Sequence, residues 1–309
     1  MEAFAIPFLI FVGGLLALQA AANVQLSSAV GSPFGASTLQ LGIGAAVLFA
    51  LALPAGALGV LGVLDRVPVW HLIGGIGSAL YITAGILLFP RLGAVVAVGL
   101  FIAGQMLASV LLDGYGWLGV EQQRIGPTAI VGTAAVVVAG FLIVRAQTGA
   151  ETLESAPHKR TGWIALGLAA GAVLPIQGAI NAQLRVDLDK PLAAGTFSFS
   201  VATFAMALAL VLALTLTSAP RPRTNGLGSL PWWGWIGGLC GATYVTSVFI
   251  LIPEIGVAPT IALTVAGQQL ASVLVDRYGL LRLPARQISI TRLAGVLLLL
   301  AGVGLIQLA

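Results

Sequence analysis

One thirteen-residue motif occurs twice in this chain. Residues 104–116 read GQMLASVLLDGYG and residues 267–279 read GQQLASVLVDRYG, so ten of the thirteen positions agree. Each copy ends a long apolar run, where glutamine, serine and aspartate are uncommon. Chance similarity between two apolar segments therefore does not explain the match. The motif indicates that the chain consists of two repeats of one structural unit.

The alignment of the two halves extends beyond this motif. A shift of 158 positions aligns residues 19–33 with residues 177–191, and a shift of 163 aligns residues 68–116 with residues 231–279. A five-residue difference in the loop after the second apolar run accounts for the change in shift. The identical pairs include Gln19/Gln177, Asn23/Asn181, Pro33/Pro191, Tyr81/Tyr244 and Pro90/Pro253.

Composition places both repeats in a membrane. The chain is 59% hydrophobic and 8% charged, with a mean hydropathy of +1.05, whereas soluble domains carry about 25% charged residues. The net charge of +4 is interpreted as loop charge, because no basic cluster is interleaved with aromatic residues as in a nucleic-acid surface. Cys240 is the only cysteine, so an intrachain disulfide is excluded.

Ten apolar runs are long enough to cross roughly 30 Å of hydrocarbon. All six tryptophans lie at run ends, as interfacial anchoring predicts. We therefore predict an all-α polytopic protein with a first five-helix repeat (1–145), a hydrophilic linker (146–160) and a second five-helix repeat (161–309). The runs fall at about 4–22, 34–53, 70–89, 93–113, 128–145, 162–184, 193–216, 232–252, 257–275 and 289–308.

Five spans per repeat is an odd number, so the second repeat must cross the membrane upside down. Inverted repeats of this kind are typical of secondary transporters. Ten lysines and arginines fall on the side of the 146–160 linker and four on the side of the termini. The positive-inside rule then predicts that both termini lie outside and that the linker lies in the cytoplasm.

The polar residues within the spans are mostly neutral and paired between repeats. No span carries an ionisable side chain near its centre, which disfavours a central carboxylate site for cationic drugs. Amide side chains can bind a polar solute at lower cost than a buried charge, but they can equally fix helix packing. The candidate substrate-binding residues are Gln19, Asn23, Gln177, Asn181, Gln105, Gln268, Tyr81 and Tyr244.

A second set of residues is predicted to form gates or structural contacts. The stripe of Gln105, Ser109 and Asp113 occupies one helix face, and Gln268, Ser272 and Asp276 repeat it. A carboxylate near a helix C-terminus is unfavourable unless it has a partner, so each Asp is expected to form a clasp with a loop arginine or backbone N–H groups more readily than a coupling-ion site. Pro175 is expected to kink its helix beside Gln177.

The doubled GQxLASxxxDxYG motif and the segments LQ-x3-N-x-Q and IQ-x3-N-x-Q resemble the drug/metabolite transporter superfamily. Within it, the chain is most similar to YdcZ-type inner-membrane proteins, which commonly have five spans, so this chain looks like a tandem fusion of two. The resemblance implies a helical inverted-repeat transporter or exporter of small molecules. It implies no particular substrate and no catalytic residues.

The expected function is therefore transport of a small neutral or zwitterionic metabolite by alternating access between the two repeats. An ion or small-solute channel and a non-transporting structural or sensor protein remain alternatives. An enzyme is not expected, because no acid cluster or His/Asp constellation occurs at an interface. The expected partners are the lipid bilayer and a small-molecule substrate, with no nucleic acid, cofactor or metal, and either a monomer or a homodimer fits.

Overall fold

The computed structural model describes residues 2–145, 157–282 and 289–308. Most of the predicted linker, residues 146–156, lies outside this part, whereas residues 157–160 already belong to a helix. Within the described residues the structure is helices joined by turns, 3-10 segments and short loops. The α-helices are α1 Glu2–Val30, α2 Pro33–Ala52, α3 Val69–Leu72, α4 Ile76–Tyr115, α5 Pro127–Arg145, α6 Pro157–Leu188, α7 Pro191–Leu216, α8 Gly237–Ile255, α9 Val257–Tyr278 and α10 Ile290–Gln307.

Helix length and apolarity confirm a polytopic helical membrane protein. In the described residues, eight helices are long and apolar enough to cross a membrane. Two further apolar helices, Ile76–Leu88 and Pro127–Ile143, are shorter than the usual span. Both occupy positions where the sequence predicts a span. The ten-span count stays a prediction.

Helix α4 folds back on itself, although its backbone is helical from Ile76 to Tyr115. The ring centroids of Tyr81 and Phe101 lie 4.9 Å apart, whereas twenty residues of straight helix would separate them by about 30 Å. We call Ile76–Leu88 the first leg and Ala97–Tyr115 the second leg. They correspond to the predicted third and fourth spans.

The second repeat makes the equivalent reversal by a full break. Gly256 ends α8 and begins α9 with φ of 90° and ψ of 166°, a conformation that is essentially restricted to glycine. The sequence predicts the same break in both halves, since Pro90 and Pro253 are equivalent. The helical backbone of the first repeat continues where that of the second is interrupted.

The two halves interlock. Helix α1 packs against α8 and α9, and α6 packs against both legs of α4. The first helix of each half thus lies on the third and fourth helices of the other half. Helix α2 packs against α7, and α5 packs against α10, so these two pairs join equivalent helices. The result is a pseudo-two-fold arrangement built across the repeats.

Glycines permit the closest of these crossings, and they include the first residue of each motif copy. A Cβ on Gly104 would overlap the carbonyl oxygen of Leu168 in α6, and a Cβ on Gly267 would overlap that of Ile10 in α1. From the facing helices, a Cβ on Gly171 would overlap Phe101 and one on Gly13 would overlap Thr264. Any side chain here would force the helices apart, as at other small-residue helix contacts in membranes.

Candidate functional site

The polar side chains of α6 lie against α3 and the start of α4. The Gln177 amide nitrogen donates to the Ser78 hydroxyl at 2.9 Å, and the hydroxyl lies 3.1 Å from the Gln177 amide oxygen. Asn181 lies one turn further along and packs on Gly74 so closely that a Cβ there would overlap its amide oxygen. We call Gln177, Asn181, Ser78 and Gly74 the Asn181 cluster.

An ion pair extends this contact by two further turns of α6. The His71 Nδ1 of α3 is paired with the Asp187 carboxylate of α6. The His71 side chain is 9% exposed and Asp187 is 27% exposed, so the pair is shielded on the histidine side. The α6 residues Gln177, Asn181 and Asp187 therefore form one polar stripe along α3 and α4.

The equivalent residues of the first repeat lie against the start of α8. Gln19 faces Gly241, where a Cβ would come within 2.9 Å of the Gln19 amide nitrogen. Asn23 is one turn further along, and its buried amide oxygen has no hydrogen-bond partner among the described residues. The nearby Gln40 of α2 lies beside Gly237. We call Gln19, Asn23 and Gln40 the Asn23 cluster.

The first motif copy is buried as a continuous stripe. Gln105, Ser109 and Asp113 are all at most 5% exposed. The Ser109 hydroxyl donates to the Met106 carbonyl of its own helix at 2.9 Å. Gly104, next to this stripe in the chain, packs against α6.

The Asp113 carboxylate caps a helix of the other repeat. The backbone N–H of Val257 donates to Oδ1 at 2.8 Å, and that of Ala258 donates to Oδ2 at 2.6 Å. These are the first two N–H groups of α9, which have no partner within their own helix, and the helix dipole there favours an anion. Both carboxylate oxygens are therefore engaged in a structural contact across the repeats.

The second motif copy has different surroundings. Gln268 and Ser272 are only partly buried, and the Ser272 hydroxyl accepts from the Arg292 guanidinium at 3.4 Å. Arg292 of α10 is 2% exposed, although its place near a span end suggested a loop charge. The side chain of Asp276 lies outside the described residues, so its predicted clasp stays a prediction.

The two predicted tyrosines are buried to different degrees. Tyr244 is 4% exposed and its hydroxyl is hydrogen-bonded to the Thr264 side chain. Tyr81 is partly buried against Phe101. Pro175 is buried inside the uninterrupted helix α6, two residues before Gln177. It therefore removes one backbone hydrogen bond beside the cluster.

Four pairs of equivalent polar residues differ in burial between the two repeats. The Asn181 cluster lies at the end of the molecule that also holds Asp113, which we call the Asp113 end. Gln177, Asn181, Gln105, Ser109 and Asp113 are all buried there. At the opposite end, which holds Arg292, the counterparts Gln19, Asn23, Gln268 and Ser272 are all partly exposed. By these four pairs the Asp113 end is the more buried, and we call it the sealed end, although Gln40 and Arg292 at the other end are also buried.

Helix packing follows the same division. Gly178 of α6 faces Val248 and Ile252 of α8, and these helices pack together. Among the described residues, the equivalent pair of α1 and α4 makes no comparable contact. Helix α6 therefore closes on α8 at the Asp113 end, while α1 and the first leg of α4 stay apart.

Three residues that make polar contacts at these ends of the molecule were not predicted from the sequence. His71 and Asp187 have no counterparts in the other repeat, where the aligned residues are Gly234 and Ala29, and Arg292 aligns with Ala129. The sequence did hold a sign of them, because each is replaced by glycine or alanine in the other repeat. A residue that occurs in only one repeat is not part of the contact that both repeats share. In the described part of the chain, no group of three or more His, Cys, Asp or Glu residues is arranged to hold a metal.

The chain is similar to a known protein family and to known structures. The family model described as "Putative inner membrane exporter, YdcZ" matches residues 4–143 and again residues 162–305. No curated protein matches the chain. Among the solved structures that match, one crystal structure has a TM-score of 0.68 at 21% sequence identity, covering 97% of this chain and 95% of its own. At that identity the likeness shows the fold alone.

Proposed function

This chain belongs to the YdcZ family of inner-membrane exporters, and we propose that it carries a small neutral or zwitterionic solute across that membrane. The observation that carries the proposal is the contrast between two equivalent polar clusters. One is sealed by Gln177, Ser78 and the His71–Asp187 pair, and the other is partly exposed. A carrier that alternates between two faces needs two gates of which one is closed at a time.

The chemistry of the polar groups supports the substrate class. The partly exposed polar residues that we assign to the solute are amides and one phenol, namely Gln19, Asn23, Gln268 and Tyr81. Such groups donate and accept hydrogen bonds without demanding a charged partner. The nearest carboxylate in the joint, Asp113, is already engaged by two backbone N–H groups. It is therefore poorly placed to exchange with a cationic substrate.

The proposal includes an orientation of the chain in the membrane. We place the termini and the Asp113 end outside and the 146–160 linker in the cytoplasm. Removing the buried Arg292 from the charge count still leaves nine lysines and arginines on the linker side against four on the other, and the positive-inside rule favours that arrangement. The structure then corresponds to a carrier that is closed toward the outside.

The sealed Asp113 end favours a carrier over the alternative of a channel. A channel needs a continuous path, whereas the buried Asn181 cluster closes one end through side chains of α3, α4 and α6. Single-channel recording in planar bilayers separates the two mechanisms, because a carrier gives saturable flux and no unitary current.

The proposal is tested by flux in proteoliposomes. We expect saturable uptake and trans-stimulated exchange for at least one member of a panel of neutral and zwitterionic amino acids, sugars and polyols. Gln19→Leu and Gln177→Leu should each reduce the flux strongly, since each removes the amide of one gate. Normal transport by both variants would contradict the assignment of these residues, and unitary currents would contradict the carrier mechanism.

A further inference from the structure

A cavity of 510 Å³ opens between the start of α1 and the end of α8, away from the polar clusters. None of the predicted site residues lines it. Its volume falls within the range of about 300–1,000 Å³ that is usual for small-molecule sites. The walls are mainly apolar and include Phe4, Phe8, Ser247, Ile250, Leu251 and Glu254.

Among the residues that the structure describes, Glu254 is the one charged side chain that lines this cavity. Its side chain is exposed, and it forms no ion pair or hydrogen bond with another residue in the described part of the chain. Opposite it, the rings of Phe4 and Phe8 are stacked with centroids 5.7 Å apart. The cavity thus combines aromatic faces with one carboxylate at its edge.

The other repeat fills the equivalent space with its own side chains. Trp163 of α6 takes the position of Ala5, and Arg91 of α4 takes the position of Glu254. The Arg91 guanidinium lies over the Trp163 ring, 4.5 Å from its centroid. At the equivalent position of the other repeat, a cation therefore already lies on an aromatic ring.

The first repeat's pair differs from Trp163 and Arg91 at both positions, and this difference explains why the α1–α8 cavity is open. Alanine in place of tryptophan leaves the apolar volume unfilled, and glutamate in place of arginine reverses the charge at its edge. A ligand that brings an apolar body and one positive charge would supply what the chain itself supplies in the other repeat. Cation–aromatic attraction and the carboxylate would act on the same charged group.

We propose that the cavity between α1 and α8 binds an amphipathic organic monocation, with its apolar body against Phe4 and Phe8 and its ammonium group at Glu254. The site stands apart from the two polar clusters and does not depend on the transport route. A lipid acyl chain is the competing occupant, and it would not require Glu254. The two occupants therefore differ in their dependence on charge.

The test is calorimetric titration of the full chain in neutral detergent with 3-phenylpropyltrimethylammonium and with its uncharged analogue, in which carbon replaces nitrogen. We expect saturable binding of the cation that weakens with salt, and about tenfold weaker binding of the neutral analogue. Equal binding of the two ligands would overturn the proposal and indicate a purely apolar site. This comparison needs no variant.

Variants locate the site. Glu254→Gln should remove the preference for the cation, and Ala5→Trp should abolish binding by filling the cavity as Trp163 does in the other repeat. Glu121→Gln is the matched control, because Glu121 is an exposed carboxylate outside the cavity, and it should bind like the parent. Unchanged binding in Glu254→Gln or Ala5→Trp, or an equal loss in Glu121→Gln, would overturn the assignment.

Discussion

The Asn181 and Asn23 clusters are equivalent in sequence but differ in structure. Gln177 is hydrogen-bonded to Ser78 and buried, whereas its counterpart Gln19 faces Gly241, which offers no side chain, and is partly exposed. The His71–Asp187 pair reinforces only the Asn181 cluster. One set of paired residues thus forms a closed contact and the other a loose one. The comparison indicates that the repeats supply a symmetric framework and that unpaired residues set which end is closed.

The largest effect is expected at the Asp113 clasp. Asp113→Ala leaves the first two N–H groups of α9 without acceptors in a buried place, so the free energy of unfolding should fall by about 2–4 kcal/mol. Thermal unfolding in detergent measures this, and Asp113→Asn should show an intermediate loss because one amide oxygen still accepts. An unchanged melting temperature for Asp113→Ala would show that the clasp does not support α9.

The glycine crossings test whether the framework is symmetric. Gly104→Ala and Gly267→Ala each place a Cβ against a backbone carbonyl of the other repeat, so each should destabilise the protein by about 1–3 kcal/mol through overpacking. Gly304→Ala is the control, because a Cβ there meets nothing within 4 Å. A loss confined to one of the two crossing variants would mean that the joints are not equivalent.

Cysteine accessibility tests the difference between the two ends directly. In a Cys240→Ala background, a thiol at Asn23→Cys should react with a water-soluble maleimide much faster than one at Asn181→Cys, because Asn181 is fully buried. Labelling rates followed by mass spectrometry give the comparison. Equal rates would remove the evidence for one sealed end.

The smallest effect is expected at the ion pair. His71→Ala removes one contact of the sealed end, and a partly exposed pair contributes about 0–1 kcal/mol. Its measurable consequence should be faster maleimide labelling of Asn181→Cys, since the end opens more often. Asp187→Asn should act in the same direction, whereas Asp189→Asn, in the turn just after α6 and outside the pair, should leave labelling unchanged.

The helical framework was predictable because its determinants are local. Apolar run length, tryptophan position and the doubled motif indicate a helical membrane protein of two repeats. The family match and the helices confirm the helical membrane class. The equivalence of Pro90 and Pro253 also predicted a chain reversal between the third and fourth spans. The continuation of helical backbone through one reversal and its break at Gly256 in the other were not predictable from the shared residues.

The site was predictable only in part. The paired glutamines and asparagines could be named from the alignment, because polar groups in apolar runs are costly and stand out. Their hydrogen-bond partners could not be named from the alignment. It pairs Ser78 with Gly241, although only Ser78 offers a hydroxyl. Arg292 was counted among the charges of the linker side, and only the packing of α10 on α9 shows that it is buried.

The GQxLASxxxDxYG motif shows which properties follow from the sequence and which follow from the tertiary structure. The sequence by itself determined that the motif is duplicated and that it ends a membrane helix, because composition and spacing are properties of the chain alone. Only the tertiary structure decided that its glycine crosses the first helix of the other repeat and that Asp113 caps α9. Such contacts join residues more than sixty positions apart, and their energies depend on which backbone groups the fold brings within reach.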